Sequence, residues 1–244
     1  MTFFVLALSA LGIQPLEAQR DTLRWRDGVG VVAGLALASV FDEAVQHATQ
    51  EARSPTGDRI AATARHMGQP EVFVTVPVAA YLAGALSKRP ALRRAGERIA
   101  GSLALAGVLV TAGKFTLGRV RPFASEEPYD FRPFSGADAF PSGHTTMAFA
   151  LATAIANEVR RPAATVALLA AASATGWSRL NDNKHWFSDV VAGAALGVTS
   201  AQLMDRRWSI GRVRPPGLVA AGGNFGLGWQ VPLRLREPAQ RFQP

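Results

Sequence analysis

Three short clusters in this chain set cations, imidazoles and a carboxylate at spacings that suit chemistry on an anion. Lys114 is followed seven residues later by Arg121-Pro122. Pro141-Ser142-Gly143-His144 stands directly before an apolar run. Ser178-Arg179 leads to His185 and then to Asp189. Phosphoryl transfer needs parts of these kinds: cations on the equatorial oxygens, an in-line nucleophile, and a proton for the leaving oxygen.

Each cluster has its own local logic. At ~100° per residue, seven residues bring Arg121 back over Lys114 on one face of a helix that Pro122 would end. By itself that is a basic helix terminus. Ser142 is placed to cap the next helix, Gly143 allows a close approach of backbone to ligand, and the free N–H groups of a helix start attract anions. By itself that is an ordinary capped start. His185 and Asp189 are four residues apart, so the spacing predicts one helix face. A carboxylate on one imidazole nitrogen fixes the tautomer and frees the other nitrogen to attack, and Arg179 adds a bidentate clamp. By itself that is a surface His–Asp pair. Taken together, Lys114, Arg121 and Arg179 can supply the charge that Mg²⁺ supplies elsewhere. His185 then suits the nucleophile and His144 the acid. No acidic cluster suited to a metal accompanies them, so neither a metal nor another cofactor is expected.

The elements that position these residues are helices. Six apolar segments run Val29 to Phe41, Val72 to Ser87, Ile99 to Gly113, Thr145 to Ala156, Ala163 to Trp177 and Val190 to Met204. They are too long for strands and rich in Ala and Leu. Each falls short of the ~20 residues that span a bilayer comfortably. They read either as short, Gly/Ala-packed membrane helices or as core helices of a soluble bundle. Ser54 to Met67 reads as a further short helix. In the tail, Phe225, Leu227, Trp229, Val231, Leu233 and Leu235 alternate with other residues after Gly222-Gly223-Asn224, which suggests a small β-hairpin. The fold class is therefore all-α: a bundle of about six core helices, membrane-embedded, with a small C-terminal hairpin. The domain runs 28–207 with its motif core at 99–204, and 208–244 is a tail.

Charge placement supports the membrane reading. The net charge of +8 lies mostly on arginines between the apolar runs, and no nucleic-acid motif accompanies it. Lys88 to Arg98, Arg160-Arg161 and the arginines after Met204 fall on one side if every segment spans, the positive-inside pattern. Residues 1–18 resemble a signal segment, with an apolar run from Phe3 to Ile13, although no Lys or Arg precedes it. Cleavage after Ala18 would put Arg20, Arg24 and Arg26 outside, against that pattern. The expected location is a bacterial-type inner membrane with the site facing the periplasm. The alternative is a soluble periplasmic protein. The absence of cysteine excludes disulfides and thiolate chemistry.

In order and spacing, the three clusters resemble those of the type-2 phosphatidic acid phosphatase (PAP2) and vanadium haloperoxidase superfamily, over about Ile99 to Met204. The resemblance implies Lys114, Arg121, Ser142, Gly143 and Arg179 as phosphate binders. It implies His144 as general acid, His185 as nucleophile through a phosphohistidine, and Asp189 as the partner that orients it. The fold it implies is a helical bundle with the site at one end, on the outer face in membrane members. The substrate expected is a phosphorylated lipid or another phosphate ester or diphosphate. Two alternatives are a vanadate-dependent haloperoxidase and a non-enzymatic lipid-binding membrane protein. Arg65-His66 resembles the opening of a different phosphatase motif, but Met67 stands where that motif has Gly, so it reads as a surface pair. The aromatic stretch Phe123 to Phe140 reads as a loop packed on the bundle.

Overall fold

The computed structural model describes residues 21–23, 25–205, 208–210, 217–221 and 224–228. Among these residues the α-helices are α1 Trp25–Val40, α2 Asp42–Glu51, α3 Pro55–Ala64, α4 Pro70–Leu86, α5 Pro90–Leu117, α6 Gly143–Val159, α7 Pro162–Asn181 and α8 Phe187–Met204. A 3₁₀ turn, Arg65–Gly68, joins α3 to α4. The six apolar segments fall within α1 and α4 to α8, give or take a residue at their ends. The helix expected at Ser54 to Met67 is α3 with that turn, and Ser54 caps it by accepting from the Gly57 N–H at 3.1 Å. Proline at the first turn starts α3, α4, α5 and α7, where its missing N–H costs nothing.

The long helices run alternately between two ends of the bundle. Gly84 packs against Arg93, and Gly96 against Pro77 and Tyr81, so α4 and α5 are antiparallel. Gly113 meets Pro141 at one end of the α5–α6 pair, and Arg98 binds Glu158 through two nitrogens at 2.5 and 2.6 Å at the other. Arg98 also lies 3.8 Å from Asp205, just after α8. The start of α5, the end of α6 and the end of α8 therefore share one end, as the arrangement of basic stretches predicts. Strand β1, Asp21–Leu23, pairs in parallel with β2, Trp208–Ile210, so the start of α1 belongs to this end as well. The three sequence clusters lie at the opposite end, where α2 and α3 pack against the last turns of α7 and the 3₁₀ turn meets the start of α6.

Small residues set the helix spacing. A side chain at Gly197 would begin 2.4 Å from the Thr146 carbonyl oxygen, and one at Gly193 would begin 2.7 Å from that of Ser142. The α6 and α8 backbones are thus in contact, with Ala148, Ala150, Ala152 and Ala154 buried along α6. Ile99, Leu103, Met147 and Leu151 fill the adjoining α5–α6 core. Among the described residues, two helices, α5 and α8, are long and apolar enough to cross a membrane. The number rises to four if the bent pairs α1–α2, at 48°, and α3–α4, at 44°, each count as one span. The hairpin forms as Gly217–Ala221 (β3) against Asn224–Gly228 (β4), with Ala221 opposite Asn224. Residues 1–18 and the remainder of the alternating run, Trp229 to Leu235, lie outside the described residues.

Backbone contact makes a clear prediction. Alanine is the better helix former by about 1 kcal/mol, yet Gly197→Ala should lower the thermal midpoint of the detergent-purified protein, because its methyl meets backbone. Gly107→Ala, which meets nothing within 4 Å, should hold or raise it. Equal midpoints for the two variants would show that α6 and α8 do not touch at Gly197.

Candidate active site

All three clusters converge on one cavity of about 510 Å³. Arg121, His144, Arg179 and His185 line it, and Lys114 reaches its edge through a carboxylate it shares with Arg121. The clusters singled out in the sequence do come together, but in two places by a different route from the one expected.

The first correction concerns Lys114 and Arg121. Helix α5 does not continue to Pro122. It ends at Leu117, and Gly118 turns the chain in the left-handed region at φ 56°. A Cβ there would sit 1.9 Å from the Arg132 carbonyl oxygen, so only glycine permits the turn. Arg121 therefore reaches the site from the loop 118–142. Asp138 in that loop joins the two cations. It accepts from Arg121 Nε and Nη2 at 2.7 Å each, and Lys114 Nζ lies 3.4 Å from its Oδ2 and also donates to its main-chain carbonyl. Burial pushes the Asp138 carboxyl upward, but the Arg121 hydrogen bonds and the Lys114 charge outweigh it and hold the group below the usual carboxylate range.

The second correction concerns His185 and Asp189. Helix α8 begins at Phe187, so His185 precedes it and the two residues do not share a helix face. Asp189 instead closes the helix start, accepting the Trp186 N–H at 2.8 Å. His185 Nδ1 bonds the Ala139 carbonyl at 2.7 Å, while Asp189 Oδ2 lies 3.6 Å from the same nitrogen. A carbonyl only accepts, so Nδ1 carries the proton and Nε2 keeps its lone pair. Burial drives the His185 pKa down, against the pull of Asp189, which keeps the ring neutral.

The Ser-Gly-His element lies where expected. Ser142 is the N-cap residue of α6 and fully buried, but its hydroxyl accepts from Thr145 Oγ1 at 2.9 Å and caps no backbone N–H. The first N–H groups of α6 are thus left for a ligand. Gly143 lies against Lys114: an added Cβ would be 3.7 Å from its Cε, an ordinary contact. His144 is half-buried at the first turn of α6. Burial first, then the charge of Arg179, lowers its pKa to about 4.

Arg179 is buried, and its Nε has no hydrogen-bond partner. One of its terminal nitrogens donates to Asp182, which also accepts from Arg65 Nη1 at 3.1 Å. Arg65 is therefore not merely a surface residue: it lines the cavity, while exposed His66 turns away to Gln69 at 2.9 Å. The aromatic loop also differs from expectation. Phe123, Tyr129, Phe131 and Phe134 are exposed, and the packing on the bundle is partial: Phe134 meets Phe115 of α5 edge-on, with 5.1 Å between ring centroids. Among the described residues, no group of three His, Asp or Glu side chains is arranged to hold a metal.

Sequence reasoning missed Arg119. This side chain is 1% exposed and bonds Asp189 Oδ1 and Ser188 Oγ at 2.7 Å through Nη1, Asp42 Oδ2 at 2.6 Å through Nη2, and the Pro128 carbonyl at 2.8 Å through Nε. Asp42 in turn accepts the Ser188 N–H at 2.7 Å. The available signal was that Arg119 directly follows the glycine that ends α5.

Comparison with known proteins agrees with this arrangement. A PAP2 superfamily model matches residues 97–215. A lipid A 1-phosphatase of Porphyromonas gingivalis is 43% identical over 103 residues, which are 41% of this chain and 21% of that protein. A lipid A 1-phosphatase of Rhizobium johnstonii is 38% identical over 101 residues, 39% of this chain and 41% of that protein. The aligned stretch covers less than half the length of either relative. Among solved structures, Aquifex aeolicus LpxE matches with a TM-score of 0.57 at 21% identity, over 68% of this chain and 95% of that one. A transmembrane PAP2 type phosphatidylglycerolphosphate phosphatase from Bacillus subtilis matches with a TM-score of 0.58 at 21% identity, over 72% and 93%. At this identity the likeness is one of fold.

The Arg119 cluster generates the second prediction. Arg119→Met leaves Asp42 and Asp189 buried without their cation, which should cost about 3–5 kcal/mol and lower the thermal midpoint by several degrees. Arg132→Met, which removes an exposed pair with Asp130, should change it little. Similar midpoints for the two variants would show that the buried cluster does not hold the fold.

Proposed function

We propose that this chain, matched by a PAP2 superfamily model over residues 97–215, is a phosphatase of that superfamily acting on a phosphorylated lipid through a phosphohistidine at His185. One observation carries the reading: neutral His185 and His144 face the same cavity as Arg121 and Arg179. The phosphoryl oxygens lie on Lys114, Arg121, Arg179 and the N–H groups of Gly143 and His144. His185 Nε2 attacks phosphorus and the P–O bond to the leaving alcohol breaks. His144 protonates that oxygen. A substrate phosphate dianion beside His144 offsets the cations that lower its pKa, so substrate itself helps to load the acid. Water then attacks phosphohistidine, giving its proton to His144 and releasing phosphate. Asp189 acts through its 3.6 Å approach to Nδ1 and by fixing the start of α8, and the Ala139 carbonyl sets the tautomer.

A lipid substrate is supported by the relatives named above, by two helices of membrane-spanning length and by exposed aromatic side chains beside the site. The site faces the periplasm on this reading, with the end that bears Arg98 and Arg160 in the cytoplasm. The start of α1 lies at that basic end, which favours an N-terminus retained on the cytoplasmic side over an exported soluble protein.

The mechanism separates the two histidines. General acid catalysis is worth ~10²–10⁴-fold, and only a poor leaving group needs it. His144→Ala should lose roughly that factor on a lipid phosphate and far less on nitrophenyl phosphate, whereas His185→Ala should be inactive on both. His185→Ala that keeps nitrophenyl activity would exchange the two roles. A phosphohistidine trapped at position 185, absent from His185→Ala, checks the intermediate directly. With side chains supplying the positive charge, excess EDTA should leave the rate unchanged and vanadate should inhibit. Activity lost to EDTA and restored only by Mg²⁺ or Zn²⁺ would refute the mechanism.

A further inference from the structure

The cavity holds more positive charge than one phosphoryl group uses. Beyond the residues of the three clusters, Arg53, Arg65 and Lys184 also line it. Arg53 and Arg65 come from outside the segment that matches the family model. They are fixed by contacts between α2, α3 and the end of α7. Arg53 Nε donates to Asp58 at 2.8 Å, and Asp58 also takes the Asn181 amide at 2.8 Å. Gln46 and Gln50 of α2 bond Asn183 and Leu180 at 3.2 and 3.0 Å, which holds the 180–184 turn. Lys184 lies over the Phe123 ring at 4.3 Å.

We propose that Arg53, Arg65 and Lys184 form a second anion subsite that takes another phosphate group of the same substrate. The proposal rests on the phosphatase reading and extends it to substrates with two phosphates. Two observations support it. Among the described residues, the five cations Lys114, Arg121, Arg179, Arg53 and Arg65 pair with only three carboxylates, Asp58, Asp138 and Asp182, and Lys184 adds a sixth cation over the Phe123 ring. A scissile phosphate dianion leaves that set still positive, in a cavity large enough for more than one phosphate. Asp182 also shows how the two groups of cations adjoin: one carboxylate oxygen accepts from both Arg179 and Arg65. An anion bound by Arg179 is therefore within reach of Arg65, and a second phosphate beyond it meets Arg53 and Lys184. That second phosphate has two chemical sources. It is either joined directly to the first, as in a diphosphate ester, or carried elsewhere on the substrate.

The test is a selectivity ratio. The detergent-purified full chain is assayed on two pairs of substrates: farnesyl diphosphate against farnesyl monophosphate, and hexane-1,6-diol bisphosphate against hexyl phosphate. Charge-assisted hydrogen bonds in a partly exposed site predict that Arg65→Gln lowers the kcat/KM ratio about tenfold. Lys184→Gln should lower it in the same direction and serves if Arg65→Gln fails to fold. A fall confined to the farnesyl pair assigns the subsite to an adjoining phosphate, and one confined to the hexyl pair assigns it to a remote phosphate. Ratios unchanged in both pairs, with turnover retained, overturn the subsite and leave the phosphatase standing. No turnover of any of the four by the wild-type chain overturns the phosphatase reading and the subsite with it.

Discussion

The buried ion cluster around Arg119 is the constraint on which the rest of the site depends. One guanidinium, 1% exposed, holds carboxylates from α2 and α8 and a carbonyl from the loop between α5 and α6. Such a cluster is costly to desolvate and still costlier to break, because each partner is then left charged in a dry interior. Its geometry is therefore effectively fixed. Asp189 is fixed with it, and through Asp189 the Trp186 N–H and the start of α8. The Trp186 indole donates to the Val120 carbonyl at 3.0 Å, and the Arg119 carbonyl accepts the Ala139 N–H at 2.9 Å. Ala139 then presents its own carbonyl to His185. The chain of contacts from Arg119 to the imidazole is short and has no exposed link.

The helices beneath supply a rigid base for this cluster. Close backbone approach of α6 and α8 lets the Ser142 N–H bond the Asp189 carbonyl at 3.0 Å. That contact places the start of α6, with His144, directly beside the start of α8. Larger residues at Gly193 or Gly197 would separate the two helix starts. The same small residues that pack the bundle therefore set the distance between the two histidines. The segment from Gly118 to Ser142 carries no helix, yet it is pinned along its length: Arg119 pairs with Phe131, Val120 with Asp130, and Arg132 with Gly118. A loop of that length without regular structure is uncommon unless it has work at a site.

Two carboxylates keep the site's cations in order while no anion is bound. Asp138 spans Lys114 and Arg121, and Asp182 spans Arg179 and Arg65. Without them, several like charges would repel across one cavity and the long side chains would spread into solvent. With them, each cation is held near the position where, on the proposed reading, it meets phosphate oxygens. On that reading the arrangement has a cost, since a phosphate must compete with the carboxylates for the same N–H groups. Binding is then the difference between two sets of charge-assisted bonds, which keeps it weaker than the number of cations suggests.

What was legible in the sequence was whatever depends on local periodicity or on residues with rare chemical roles. The six long helices were visible because their Ala/Leu runs exceed strand length, and Ser142 was visible as a helix start. His144, Arg179 and His185 were visible because imidazoles are few in this chain and an arginine flanks one of them. The failures share one physical cause. Helical extrapolation carried α5 through Gly118, although a single left-handed residue redirects the chain and brings Arg121 to Lys114 through a shared carboxylate instead of a shared face. The four-residue spacing of His185 and Asp189 likewise suggested a helix face, when the helix begins between them. Arg119 and Asp42 lie 77 residues apart, and Arg65 and Asp182 117 apart. No local pattern distinguishes a charge that will be buried against a distant partner from one that stays in solvent. Burial is decided by which helices meet, and in this bundle that is set by glycines and alanines whose identity says nothing about the charges they bring together.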